Sequence, residues 1–152
     1  MKGDMSATLK KQYAVRYQAA APSLYRFAYL CLCSESCAKE AVERAFQEGF
    51  DSLLEVFDPQ RFLVNMLAYA YQACVALELR ANASRTPQPT ELMRTLLAMP
   101  LEERAAVLLR LQQKLNKKQI GLVLGTDEFM AECHLVAAAG RQRSSGEAAR
   151  PA

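Results

Sequence analysis

Apolar residues recur every three or four positions along almost the whole chain, and nowhere do they alternate in the two-residue rhythm of a strand. That spacing commits the chain to an all-α fold. The clearest case runs Ala38, Ala41, Val42, Ala45, Phe46, Phe50, Leu53, Leu54 and Phe57, one continuous face. Lys39, Glu40, Glu43, Arg44, Glu48 and Glu55 lie opposite, with Lys39–Glu43 and Glu40–Arg44 spaced to pair one turn apart. With 51% hydrophobic and 23% charged residues, the 152-residue chain has enough apolar mass for a real core.

Punctuation divides this helical text. A first helix is expected from about Met5 to Ala20, with Leu9, Tyr13 and Tyr17 on one stripe. Pro22 then fits the first turn of a second helix reaching Cys33, because the first turn does not use the missing N–H. Ser34 to Ser36 make a polar break. Asp58-Pro59 is a helix start, an N-cap followed by proline at the first position, and its helix is apolar nearly all round to about Arg80. Residues 81–90, with Asn82, Ser84, Arg85, Pro87 and Pro89, read as a linker. The expected organisation is therefore a helical domain over 5–80, the linker 81–90, and a second helical domain over 91–143. The lobes are small enough to lean on each other, and residues 144–152 are expected to form a disordered tail.

The second lobe carries the most specific local pattern. Leu92, Leu96 and Leu97 lie on a short helix; Pro100, Glu102 and Glu103 then open another bearing Val107, Leu108 and Leu111. Asn116 and Gln119 form a capping-box pair, and Gly125 supplies a left-handed C-cap. Thr126 or Asp127 caps a last helix to about Gly140. Helix, three-residue turn with glycine, helix is the helix-turn-helix pattern, with Ile120, Val123 and Leu124 expected against Ala131, Leu135 and Ala138.

In this order the pieces resemble a small sigma factor of the extracytoplasmic-function type, a bacterial RNA polymerase specificity subunit. Leu24-Tyr25-Arg26-Phe27-Ala28 and Ala38 to Phe46 resemble its region-two opening. Phe57, Phe62, Ala70, Gln72 and Leu79-Arg80 fall where that family has its promoter-melting helix. Met99-Pro100 to Arg110, Leu115 and Ile120 to Gly125 resemble region four. The resemblance spans about residues 9 to 143. It implies a cytoplasmic protein that binds core RNA polymerase and directs initiation at promoter DNA, under an anti-sigma protein in some cases. Polymerase docking would fall on Glu40, Glu43, Arg44, Phe46 and Glu48. DNA contacts would fall on Arg61, Tyr69, Tyr71, Gln72 and Arg80 in region two. In region four they would fall on Lys117, Lys118, Thr126, Met130, Glu132, Cys133 and His134.

The residues at those positions pull in another direction. Arg44 stands where the family usually has an acid, and Asn65 where it has Trp. Between Thr126 and Gly140 the chain has Asp127, Glu128 and Glu132 but no Lys or Arg, so phosphates would repel this helix. A second reading keeps the helical scaffold and uses Phe129, Met130, Cys133 and Val136 as a protein-binding face. Net charge, +3, selects neither.

Other chemistry is sparse. Cys31, Cys33 and Cys37 have neither a neighbouring histidine nor a CxxC pair, so neither metal nor cofactor is expected. Five cysteines, mostly in apolar runs, point to reduced thiols. His134 is the only histidine, and no phosphate loop or paired carboxylates appear, so no enzyme is expected. No apolar leader opens the chain, and Phe62 to Leu77 is too short an uncharged run for a membrane span of roughly 20 apolar residues.

Overall fold

A computed structural model describes residues 2–52, 56–85 and 90–149, with side chains for 7–52, 56–85 and 90–142. Among the described residues seven helices follow in order: α1 Lys2–Leu32, α2 Glu35–Asp51, α3 Pro59–Ala83, α4 Glu91–Leu97, α5 Leu101–Leu111, α6 Lys117–Leu124 and α7 Glu128–Ala149. Among the described residues there is no strand, and the fold is all-α.

Local chemistry sets most boundaries. Ser34 caps α2, its Oγ accepting from the Cys37 N–H at 3.4 Å. Asp58 caps α3, its carboxylate accepting from the Gln60 and Arg61 N–H groups, and Pro59 takes the first turn as expected. In α6 both halves of the capping box form: Asn116 accepts from the Gln119 N–H at 2.8 Å, and Gln119 accepts from the Asn116 N–H at 3.0 Å.

Three expected boundaries are corrected. Pro22 does not separate two helices; it lies inside α1, at an exposed position. An internal proline costs a helix about 3 kcal/mol. Here both flanks are anchored, with Tyr13 on one side and Leu24, Phe27, Ala28 and Cys31 on the other buried in the core, so packing outweighs the local break. α3 runs past Arg80 to Ala83, because Ala81 is fully buried. Ser84 closes the helix, its N–H donating to Ala81 O and its hydroxyl to Arg80 O. The expected tail is helical to Ala149, and its Glu147-Ala148-Ala149 run has high helix propensity. Phe57 also leaves its assigned face: α2 ends at Asp51, the phase of the stripe is lost, and Phe57 is exposed. Leu53, Leu54 and Glu55 lie outside the described residues.

α1, α2 and α3 pack against one another around an aromatic cluster. The Tyr13 ring lies 5.4–5.7 Å from those of Phe46, Phe50 and Phe62, and its hydroxyl donates to Phe46 O at 2.7 Å. α5, α6 and α7 form a second group, and the two groups share one contiguous core, with α6 against α3 and α5 against α1. α3 is long and apolar enough to cross a membrane by length and composition alone. In the fold its Phe62, Met66, Leu67, Ala70, Cys74 and Leu77 are covered by neighbouring helices.

One buried side chain fastens the groups together. Arg104 is 3% exposed, and its guanidinium donates to Leu96 O at 2.8 Å, to Met99 O at 2.9 Å and to Cys31 O. Cys31 lies in the last turn of α1, Leu96 in the last turn of α4, and Met99 in the turn just after it. The cation thus meets carbonyls at helix ends, of which Leu96 O also accepts the Met99 N–H, and the helix dipole there also favours positive charge. Gln113 adds a bond across the same seam, its amide donating to Ser23 O at 3.2 Å.

Candidate functional site

α6 and α7 form as two helices joined by the three-residue turn Gly125, Thr126 and Asp127. Gly125 takes φ +73°, a left-handed conformation that a Cβ would strain. Asp127 then caps α7, its carboxylate accepting from the Met130 N–H at 2.8 Å. Ile120 and Val123 of α6 and Ala131 and Ala138 of α7 are buried, while Leu124 and Leu135 pack against the same core. Gly121, not singled out by sequence, makes the crossing possible. A Cβ there would stand 2.8 Å from the Asp127 carbonyl carbon and oxygen. A glycine one turn before the C-cap glycine was the available signal.

The positions proposed for DNA contact separate into those that are presented and those that are not. Arg61, Gln72, Lys118, Thr126, Met130 and Cys133 are exposed, and His134 is half-buried. Tyr71 is 9% exposed, and burial pushes its phenol up to about 12; it is core and offers no face to a base. Tyr69 is half-buried and donates to Ser52 Oγ at 3.0 Å. Arg80 pairs with Glu40, which also holds Arg44 at 2.8 Å. Lys117 and Glu132 pair with each other at 3.0 Å, so the lysine nearest α7 faces a carboxylate.

The polymerase-docking positions divide likewise. Glu43, Arg44 and Glu48 are exposed along the outer side of α2. Glu40 is half-buried and engaged by two arginines. Phe46 is not presented: its ring lies 4.6 Å from that of Tyr17 and 5.4 Å from that of Tyr13, because the apolar stripe of α2 turns toward α1. Of the two expected pairs on α2, Glu40–Arg44 forms, while Lys39 turns back to Glu35 at 3.5 Å.

The thiols follow burial. Cys31, Cys33, Cys37 and Cys74 are buried and Cys133 is exposed, all free. Burial raises the Cys31 thiol well above its ordinary range, with the Cys74 thiol hydrogen-bonded beside it, and burial likewise raises Cys33. At Cys37 burial pushes upward, but hydrogen bonds with Ser34 and Ser84 and the charge of Arg80 outweigh it and lower the thiol. Among the described residues no three His, Cys, Asp or Glu side chains converge as a metal site.

The chain matches no protein-family model, and a search of the curated proteins finds no relative.

Proposed function

We propose that the protein is a divergent sigma-type subunit, two helical groups joined through residues 84–90, that binds core RNA polymerase and directs initiation at promoter DNA. The observation that carries this reading is the capped helix-turn-helix of α6 and α7, standing behind a three-helix group whose α2 presents Glu43, Arg44 and Glu48 outward. Those charges suit a charge-complementary protein contact, with the aromatic cluster behind them holding α2 rigid. DNA would be met by the exposed Arg61 and Lys118, whose charge the phosphate backbone favours. Core polymerase and promoter DNA are the partners; an anti-sigma protein would act by covering either face.

Capture of core polymerase by the tagged full chain tests the reading, with loss expected on reversing Glu43 and Glu48 together. No capture by the intact chain would overturn it. Run-off transcription on genomic fragments then tests promoter use, and Lys118→Ala should weaken DNA binding and reduce its salt slope by about one.

A second reading is favoured by α7 itself: the scaffold is kept, but promoter reading by α7 is lost and that helix binds protein. Its outward surface carries carboxylates and apolar groups, and Lys117 beside it is already paired. Under this reading core is captured but no promoter is melted.

A further inference from the structure

The outward face of α7 has a composition that defines a ligand. At 100° per residue, Phe129, Cys133, Val136 and Gly140 fall on one line, opposite the buried Ala131 and Ala138. Phe129 is 70% exposed and Val136 60%, and Cys133 is exposed between them. At Gly140 a Cβ would meet nothing within 4 Å, so the stripe ends in open space where another backbone can come close. The line is roughly 16 Å long, about three helical turns. Glu128 and Glu132, one turn apart, form one edge of it. No Lys or Arg of α7 stands between residues 128 and 140, and Arg141 turns to the other side, pairing with Glu103 at 2.7 Å.

We propose that this face docks an amphipathic helix with an apolar stripe and a basic edge; the proposal rests on the second reading above. A straight stripe of this spacing matches the ridge of a partner helix, which would cover Phe129 and Val136. The basic edge follows from Glu128 and, in part, from Glu132, whose Oε1 is held by Lys117 at 3.0 Å while its second oxygen can take another cation; both penalise acid. The same carboxylates disfavour duplex DNA. They also disfavour a second copy of α7, which over these residues brings no cation of its own.

The probe is a short labelled helical peptide of Leu, Ala and Lys, with Leu on one stripe and Lys along one edge. Its control carries Glu at each Lys. Fluorescence anisotropy with the full chain at low salt should show the Lys peptide binding about ten-fold tighter than the Glu peptide. Val136→Asp should abolish that binding while thermal unfolding stays unchanged, because Val136 supports no core. The double variant Glu128→Lys, Glu132→Lys should invert the preference. Equal binding of both peptides, or binding untouched by Val136→Asp, would overturn the proposal. So would a dimer in sedimentation equilibrium that Val136→Asp dissolves, or a DNA duplex bound through Phe129. Loss of polymerase capture with peptide binding intact would sink the sigma reading alone. Promoter melting that depends on Phe129 and Val136 would sink the second reading.

Discussion

Replacing Arg104 with Met asks how much a buried guanidinium without a carboxylate partner holds together. Arg104→Met keeps a long, flexible side chain but removes every donor. Of the three acceptors, Leu96 O also receives the Met99 N–H at 3.1 Å. For Cys31 O and Met99 O the guanidinium is the donor that the described hydrogen bonds provide. A buried carbonyl stripped of its partner costs about 1–3 kcal/mol, so two cost about 2–6 kcal/mol. Removing a charge from the interior offsets part of this, since burying that charge was itself unfavourable. The expected net loss is about 2–4 kcal/mol. For a chain of this size, each kcal/mol lowers Tm by about 2–4 °C, so calorimetry should show a fall of about 4–16 °C. Amide exchange should accelerate most at the end of α1 and in the α4–α5 turn, where the carbonyls lie. Arg104→Lys should fall in the same direction, because one ammonium lacks the planar fork that reaches carbonyls on two helix ends. A variant Arg104→Met within about 2 °C of the parent, or more stable than it, would refute the argument; helix-end carbonyls would then be finding other donors.

Gly121→Ala should destabilise by about 1–3 kcal/mol in urea titration, because its Cβ meets the Asp127 backbone, which cannot swing aside like a side chain. Gly125→Ala should cost about 1–2 kcal/mol for the left-handed φ alone, and a variant at either position as stable as the parent would refute the argument for that glycine. Tyr71 links stability to alkaline pH. Its phenol is held up to about 12 in the fold but titrates near 10 unfolded, so the unfolded chain releases the proton first. Its contribution is complete below pH 10 and falls between 10 and 12, where Tyr13, also raised by burial, adds a decline of its own; Tyr71→Phe should make the slope shallower, and an unchanged slope would remove Tyr71 as a contributor. Under native conditions a thiol reagent should modify Cys133 rapidly, leaving the buried Cys31, Cys33, Cys37 and Cys74 slow, Cys37 through lack of access although its thiol is lowered. A fast phase that persists in Cys133→Ser would contradict that.

Features encoded within a few residues were the legible ones. Asp58-Pro59, the Asn116–Gln119 box and Gly125 read correctly because a cap is a local hydrogen-bond problem with a local solution. Pro22 read wrongly because its local penalty is offset by residues that α1 buries on either side, and that burial is a tertiary fact. Position on a helix face was the weakest inference. α3 is apolar nearly all round, so periodicity does not say which side meets α6, and Tyr71 was assigned to DNA although it lies in the core. Phe46 failed similarly: its stripe was visible, but not that Tyr13 and Tyr17 stand against it. Ion pairs were not legible where the partners lie far apart in sequence, as with Arg80 and Glu40 or Lys117 and Glu132. Arg104 carried a faint signal, a cation beside Ala105 and Ala106 on a face that otherwise packs. Only its reach to α1 gave that signal a meaning.

In the shared core, α1–α3 and α5–α7 bury apolar surface on each other. Cutting the chain within 84–90 would yield fragments that each expose half of a common interior, with the Cys31 carbonyl on one piece and the Arg104 guanidinium that binds it on the other. Such fragments should be poorly folded apart and should reconstitute when mixed, with an affinity that reports the strength of the seam directly. The same coupling fixes the spacing between the outer side of α2 and the outward face of α7. A partner that grips both must match a rigid distance or do work against the interior to change it.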